Sequence, residues 1–260
     1  MTSKIVIVAG GTTGMGRATA LARAARGDKV TVLGRDRRDL PANVDFLRVD
    51  LSSIAEVERV AEEIASRHDR VDALTLFANR PMPKRTETVD GLEYTFALYY
   101  LSRYVLGVRL SPLMDTTLVI VNVAGVGTTK GGIHWADPQL RDKYGLITAQ
   151  LQAGRANDLL GVGYEGKARY VLYHPGFTRS GVDGHPNPVV RGLLRTLGAV
   201  AAKPVERSVA PIVRWIDQPP EAPLTAVDRD EVLDLSLRTL DPADAARLRA
   251  YTEKLLTAGR

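Results

Sequence analysis

Cysteine is absent from this 260-residue chain, and histidine occurs only four times. Without cysteine there is no disulfide framework, no thiolate metal site and no thiol nucleophile. None of the histidines stands in a paired metal-ligand spacing, so no metal is expected. Aromatic residues are scarce, at 6%, and no Lys/Arg block is interleaved with them, so no nucleic-acid partner is expected. Long apolar runs are missing as well. The run Thr117 to Val126 is broken by Asn122 and falls far short of the about 20 residues that a membrane helix needs. Met1-Thr2-Ser3-Lys4 leads straight into a strand-like run, with no apolar leader. A cytoplasmic protein with no membrane partner is expected.

What is present is an ordinary globular composition, 45% hydrophobic and 25% charged, with a net charge of +5. The basic residues mostly alternate with acidic ones. That pattern suits a solvated surface, or a site for an anionic small ligand.

The first part of the chain alternates strand and helix. Ile5 to Ala9 reads as a strand buried on both faces. Gly10 to Gly16 is Gly-rich, Arg17 to Arg26 is helical, and Gly27 closes that helix. Strands are expected at Val30–Leu33, Val44–Val49, Leu74–Ala78, Leu118–Val123 and Ala168–Tyr173. Helices are expected at Ile54–Arg67, capped by Ser52 or Ser53, at Gly91–Leu110 and over Pro138–Leu160. The alternation predicts an α/β fold, a Rossmann-type doubly wound parallel sheet of about seven strands with helices on both faces. No linker divides the chain, so residues 1–260 read as one domain. Ser180 to Pro188 reads as a loop. Helical stretches follow near Val189–Ala202, at Val205–Asp217 and after Asp241-Pro242.

The sharpest local pattern is Ala9-Gly10-Gly11-Thr12-Thr13-Gly14-Met15-Gly16, between a strand and a helix. Such a loop brings backbone N–H groups to a pyrophosphate at a helix N-terminus. Gly10 allows the turn, Gly14 the close approach and Gly16 the packing of helix on strand. This G-x-x-x-G-x-G spacing resembles that of the short-chain dehydrogenases/reductases, and other matches fall in order along most of the chain. Asp50-Leu51 stands where that family contacts adenine. Leu76-Phe77-Ala78-Asn79 stands where it has Asn-Asn-Ala-Gly. His174-Pro175-Gly176-Phe177-Thr178-Arg179-Ser180 resembles the segment that touches the nicotinamide carboxamide. Gly91-Leu92-Glu93-Tyr94-Thr95-Phe96 resembles the retinol-dehydrogenase-like branch. The resemblance implies a nicotinamide dinucleotide held by Gly10, Thr12, Thr13, Gly14, Met15, Gly16, Arg35, Asp50, Leu51, Ala78, Asn79, Val123, Pro175, Gly176, Phe177, Thr178 and Ser180.

The second strand ends Val32-Leu33-Gly34-Arg35. An NAD enzyme places a carboxylate there to bond the ribose 2′-OH. A guanidinium instead suits a 2′-phosphate, so the expected cofactor is NADPH/NADP+.

The family's Asn-Ser-Tyr-Lys set is not reproduced. Tyr99 stands at the Asn position. Val123-Ala124-Gly125 replaces Val-Ser-Ser. Counting back from Pro175-Gly176 puts Tyr144 at the Tyr position, with Thr148 at that of Lys. Matching the family's Ser-Lys-x-Ala-Asn to Ala153-Gly154-Arg155-Ala156-Asn157 gives Gln150 and Gly154 instead. Neither register keeps a Lys, and a phenol with a pKa near 10 is by itself a poor proton carrier at neutral pH. His134 is a second candidate donor. A substrate phenol beside the carbonyl is a third source, and its prearranged geometry is worth up to about 7–11 kcal/mol. On that point the chain resembles the atypical ketoreductases that tailor aromatic polyketides, those of angucyclinones among them.

The expected partner is thus a small-molecule aromatic ketone. It would meet Tyr99, Gly125, Val126, Trp135, Gln150, Arg179 and Leu193, under a C-terminal helical substrate lid at about 181–202. A homo-oligomer is compatible with the family. A catalytically silent NADP(H)-binding sensor or scaffold is the alternative. An isomerase or dehydratase lacks an evident Glu/His pair.

Overall fold

Five successive apolar residues, Ile5–Ala9, form β1, and its last four are fully buried. In this computed structural model residues 3–176 and 204–258 are described. Six further strands run parallel to β1: β2 (Lys29–Gly34), β3 (Val44–Arg48), β4 (Ala73–Leu76), β5 (Val119–Val123), β6 (Arg169–His174) and β7 (Leu224–Asp228). An eighth, β8 (Glu231–Val232), turns back antiparallel on β7. The sheet order is β3-β2-β1-β4-β5-β6-β7-β8. This is the expected doubly wound α/β sheet, with one short strand more than about seven. The added hairpin turns at Arg229, which adopts φ +59°.

The order reverses between β1 and β4. Their crossovers leave in opposite directions, so a crevice opens at the carboxyl ends of these strands. Helices cover both faces. On one side α1 (Gly14–Ala24) packs against α6 (Val205–Asp217). On the other lie α2 (Ile54–Arg67), α4 (Ser102–Leu110), α5 (Leu146–Val162) and α7 (Pro242–Ala258). Two apolar cores result, one around Val8, Val32 and Ile212, the other around Ile7, Leu74 and Leu106.

Several expected boundaries move. The first helix begins at Gly14, not Arg17. The expected Gly91–Leu110 helix is three pieces. Glu93 is buried, and its carboxylate accepts from the Thr95 and Phe96 amides at 2.8 and 2.7 Å, so helix starts only at α3 (Tyr94–Phe96). A π-helical turn, Ala97–Leu101, then joins α3 to α4. Residues 138–145 are irregular rather than helical. Leu140 adopts φ +47°, and Asp137 accepts from the Asp142 amide, so helix begins at Leu146. Ser53, not Ser52, caps α2. The expected lid, the Ser180–Pro188 loop and the Val189–Ala202 helix all lie outside the described residues. No helix of the described residues is long and apolar enough to cross a membrane.

Candidate active site

The crevice is built first by glycine. Gly10 adopts φ +81°, and a Cβ there would stand 2.7 Å from the Ala78 amide nitrogen. The loop after β1 therefore lies directly against the end of β4. A Cβ on Gly16 would meet the Gly10 carbonyl at 2.3 Å, which fixes α1 onto the loop. Thr13 is the N-cap of α1, but its side chain makes no capping bond, and the first turn carries no acidic residue. The amides at this positive helix end are left to a ligand, and an anion is favoured there. The cradle thus fits a pyrophosphate.

The tip of β2 carries a glycine followed by an arginine. A Cβ on Gly34 would lie 2.9 Å from Thr12 Cγ2, so a carboxylate side chain has no room without moving Thr12. Arg35 is exposed and makes no hydrogen bond or ion pair to another described residue. Arg37, by contrast, donates to the carbonyls of Pro41 and Val44 at 3.0 Å each. Asp50 follows β3. Its Oδ1 accepts from the Ser52 amide and hydroxyl, at 2.9 and 2.7 Å, while Oδ2 is not engaged by these bonds. Leu51 is buried beside it.

A fully buried guanidinium forms the floor. Arg103 donates to the Asn122 side chain, to the Val123 carbonyl at 2.8 Å and to the Ala78 carbonyl at 2.9 Å. It thereby ties the ends of β4 and β5 together. It also lies 4.6 Å from the centroid of the Tyr99 ring. No carboxylate of the described residues pairs with it, and burial lowers its pKa to about 10. Asn122 continues the network to Asn157 at 3.1 Å and to Tyr170 at 2.9 Å. Asn157 donates to the Tyr99 carbonyl at 2.8 Å, inside the π-helical turn. Such turns displace one carbonyl from the regular ladder and recur at functional sites.

A cavity of about 110 Å³ opens between this turn and α5, lined among others by Tyr99, Gly125, Thr128, Gln150, Gly154 and Asp158. Tyr99 packs against Ala124 and Ala153. Burial raises its phenol pKa, and Arg103 opposes the shift. Asp158 is paired with Arg155 at 3.1 Å, and burial lifts its pKa to about 7. At the mouth, Gln150 and Asn79 exchange hydrogen bonds at 2.9 and 3.2 Å.

Other anticipated residues sit elsewhere. Tyr144 precedes α5, and its hydroxyl donates to the Met82 carbonyl at 2.7 Å. His134 is exposed, and its backbone amide, not its ring, is held by Gln152 at 2.8 Å. Trp135 lies under Arg247, 4.1 Å from ring centroid to guanidinium carbon, and does not line the cavity. Val126 is a fully buried core residue. Pro175 and Gly176 follow β6, with Gly176 at φ +77°. Phe177, Thr178, Arg179, Ser180 and Leu193 lie outside the described residues. Among the described residues no cluster of metal-ligating side chains occurs.

The short chain dehydrogenase profile matches residues 4–137, just over half of the sequence. The chain belongs to the short-chain dehydrogenase family. It is 28% identical over 232 residues to a candidate daunorubicin C-13 ketoreductase, DnrU, of Streptomyces sp. (strain C5), covering 78% of this chain and 79% of that protein. Two further relatives match over about a third of their own length. Among solved structures, an uncharacterized protein from Mycobacterium Paratuberculosis superposes with a TM-score of 0.69 at 24% identity, over 98% of this chain and 93% of that one. RhlG of Pseudomonas aeruginosa, solved as an NADP active-site complex, gives a TM-score of 0.66 at 18% identity, over 88% and 96% of the two chains. The family makes this an oxidoreductase. Asp158, Arg103 and Arg155 were not anticipated as site residues. The spacing Gln150, Gly154, Asp158 at i, i+4 and i+8 is the pattern that puts them on one helix face.

Proposed function

We propose that the protein is an NADPH-dependent ketoreductase acting on an aromatic polyketide-type ketone, and that the substrate supplies the proton. The observation that carries this reading is the lining of the cavity. Gly125 and Gly154 bring no side chain, and Gln150 brings an amide; on the register that matches Ala153-Gly154-Arg155-Ala156-Asn157 to the family pattern, these would stand for its Ser, Lys and Tyr. An amide does not titrate and cannot act as the acid. Tyr144 and His134 do not line the cavity.

The cofactor fits the residues present. The Gly10–Gly16 loop and the free amides of α1 would hold the pyrophosphate, and Arg35 the 2′-phosphate through charge-assisted bonds. Asp50 and Leu51 would flank adenine. Ala78, Asn79, Val123, Pro175 and Gly176 would border the nicotinamide end, with Phe177, Thr178 and Ser180 beyond the described residues. When bound, NADPH supplies the hydride. The basic floor at Arg103 favours negative charge developing nearby. A phenol next to the ketone would hydrogen-bond the carbonyl oxygen already in the ground state and pass its proton as charge builds there. The similarity to DnrU, a candidate daunorubicin C-13 ketoreductase, supports reduction of a ketone.

NADPH oxidation with ortho-hydroxyaryl ketones, each compared with its O-methyl ether, tests the reading. Turnover is expected with the free phenol only, and it survives Tyr144→Phe. Turnover of the ether that is lost in Tyr144→Phe would replace the substrate donor by that tyrosine. Tight NADPH binding with no oxidation of any kind would favour the silent sensor, a reading supported by the same missing side chains.

A further inference from the structure

Gly154 stands in the middle of α5, where a glycine costs roughly 0.5–1 kcal/mol relative to alanine. Close packing does not require it, because outside its own helix backbone no described residue has an atom within 4 Å of the position its Cβ would take. Its consequence is a gap in the side-chain row Gln150, Gly154, Asp158. Below the gap sits Asp158, with a side-chain exposure of 2%. One oxygen pairs with Arg155, and Oδ1 is buried with no hydrogen-bond partner. A native structure seldom leaves such an atom unsatisfied unless water or chemistry uses it. The cavity that Asp158 lines reaches Gln150 and Gly125, where the reductase reading puts the ketone carbonyl. Its volume of about 110 Å³ accommodates about three waters at roughly 30 Å³ each.

From this arrangement we infer that Asp158 is the proton store of the site, returning a proton through the channel under Gly154 to the oxyanion that reduction leaves on the substrate. The inference rests on the reductase reading. The balance is as follows. Hydride from NADPH bonds to the carbonyl carbon, and the phenol proton moves to the carbonyl oxygen, which leaves an alcohol and a phenolate. The O–H bond of the Asp158 carboxylic acid then breaks through the intervening water, and its proton neutralises the phenolate. The Asp158 carboxylate that results stays paired with Arg155 until solvent reprotonates it. No further reductant or oxidant enters.

The charged and titratable surroundings are compatible with storage at neutral pH. Arg155, on the same helix, favours the carboxylate, while burial favours the acid and prevails. Tyr99 and Lys130 line the same cavity, with Arg103 behind Tyr99. Arg238 and Asp241 flank Thr239, whose carbonyl takes Arg155 at 3.1 Å. Asp244 and Arg249 lie on α7, which packs against α5. Arg155 also holds the carbonyls of Thr128 and Gly131, so the pair can serve as a structural clip as well.

Two variants separate these roles. Asp158→Asn removes the proton. Gly154→Leu fills the channel and leaves Asp158 and its clip in place. Infrared titration of the cofactor-free protein should show a carboxylic-acid carbonyl band that disappears around neutral pH, absent in Asp158→Asn and kept in Gly154→Leu. With an ortho-hydroxyaryl ketone that the parent reduces, steady-state NADPH oxidation should fall at least 10-fold in both variants. The first turnover should fall much less, with phenolate absorbance persisting on the enzyme. The parent's steady-state rate should decline as pH rises through neutrality, and that limb should vanish in Asp158→Asn. Absence of the infrared band, or equal steady-state rates and pH profiles in parent and both variants, would overturn the proposal and leave the reductase reading intact. Failure of the parent to oxidise NADPH with any ketone would remove the reductase reading itself, and the proposal with it.

Discussion

Asn79 and Gln150 hold each other through both amides, Nδ2 to Oε1 at 2.9 Å and Nε2 to Oδ1 at 3.2 Å. The pair joins the segment after β4 to the first turns of α5 and so spans the crevice mouth. Both hydrogen bonds are exposed to water, and each is worth about 0.5–1.5 kcal/mol at most. Gln150→Ala, which removes both, should therefore lower stability by no more than about 3 kcal/mol in thermal unfolding. Its effect on the reaction should be larger, chiefly in KM, because the amide borders the place where a ketone would sit. A variant that loses stability heavily and keeps its KM would make the pair a structural tie instead.

Arg35 predicts the cofactor preference. A charge-assisted hydrogen bond is worth about 1.5–3 kcal/mol, which is about 10- to 150-fold in a dissociation constant. Arg35→Ala should weaken NADPH binding by that factor and leave NADH binding within about two-fold. Titration calorimetry with each cofactor measures both. Equal losses for the two would mean that Arg35 does not face the 2′-position. The contribution should also shrink at high salt, since the guanidinium is exposed.

Arg103 predicts a stability cost far from any ion pair. Its guanidinium serves three acceptors at the ends of β4 and β5, and no carboxylate of the described residues pairs with it. Replacement by methionine leaves those acceptors buried without a donor. A loss of about 3 kcal/mol is expected, the sum of unmet hydrogen bonds less the desolvation that no longer has to be met. For a chain of this size that is a fall in Tm of about 6–12 °C. An unchanged Tm would show that water reaches the floor and replaces the arginine.

Much of this frame is legible in the sequence because it depends on local rules. Continuous apolar runs such as Ile5–Ala9 mark strands buried on both faces. Glycines at fixed offsets mark the loop between β1 and α1, where Gly10 and Gly16 leave no room for a Cβ. The matched span of residues 4–137 is the part with those rules. Less legible was the broken helix around Tyr99. Its π-helical turn is stabilised by Asn157, which is 58 positions away and invisible to local periodicity. The hairpin of β7 and β8 escaped notice because β8 is two exposed residues, Glu231 and Val232. The places of Tyr144 and Gln150 relative to α5 also needed tertiary structure. Counting along the chain cannot show that residues 138–145 spend their length on an irregular turn, which places Tyr144 before α5 and Gln150 within it. Asp158 gave no signal alone, since an acidic residue in a helix is ordinarily solvated.

Gly154→Ala should raise stability. The helix interior favours alanine over glycine by about 0.5–1 kcal/mol, and outside its own helix backbone the added methyl meets no atom of the described residues within 4 Å. Chemical denaturation should show the gain with an unchanged m-value. Turnover should fall at the same time, because the methyl narrows the opening over Asp158. A gain in stability with no loss of turnover would show that the glycine is not needed by the reaction.

The last prediction concerns pH and stability. The Asp158 carboxyl is raised from 3.8 to about 7 in the folded protein, with burial as the main cause and Arg155 opposing it. Between those values the folded state binds a proton that the unfolded chain has already released. Stability from this group is therefore full below about pH 4, declines as pH rises, and is lost once pH passes the folded value near 7. Asp158→Asn has no such titration. Relative to the parent, the variant should gain on going from mildly acidic to mildly alkaline buffer, by a few kcal/mol at most, since each pKa unit corresponds to about 1.4 kcal/mol. Thermal unfolding of both proteins in buffers either side of neutrality measures the difference. A Tm gap that stays constant across that range would mean that Asp158 is ionised in the folded protein at all these pH values, as an ordinary partner of Arg155.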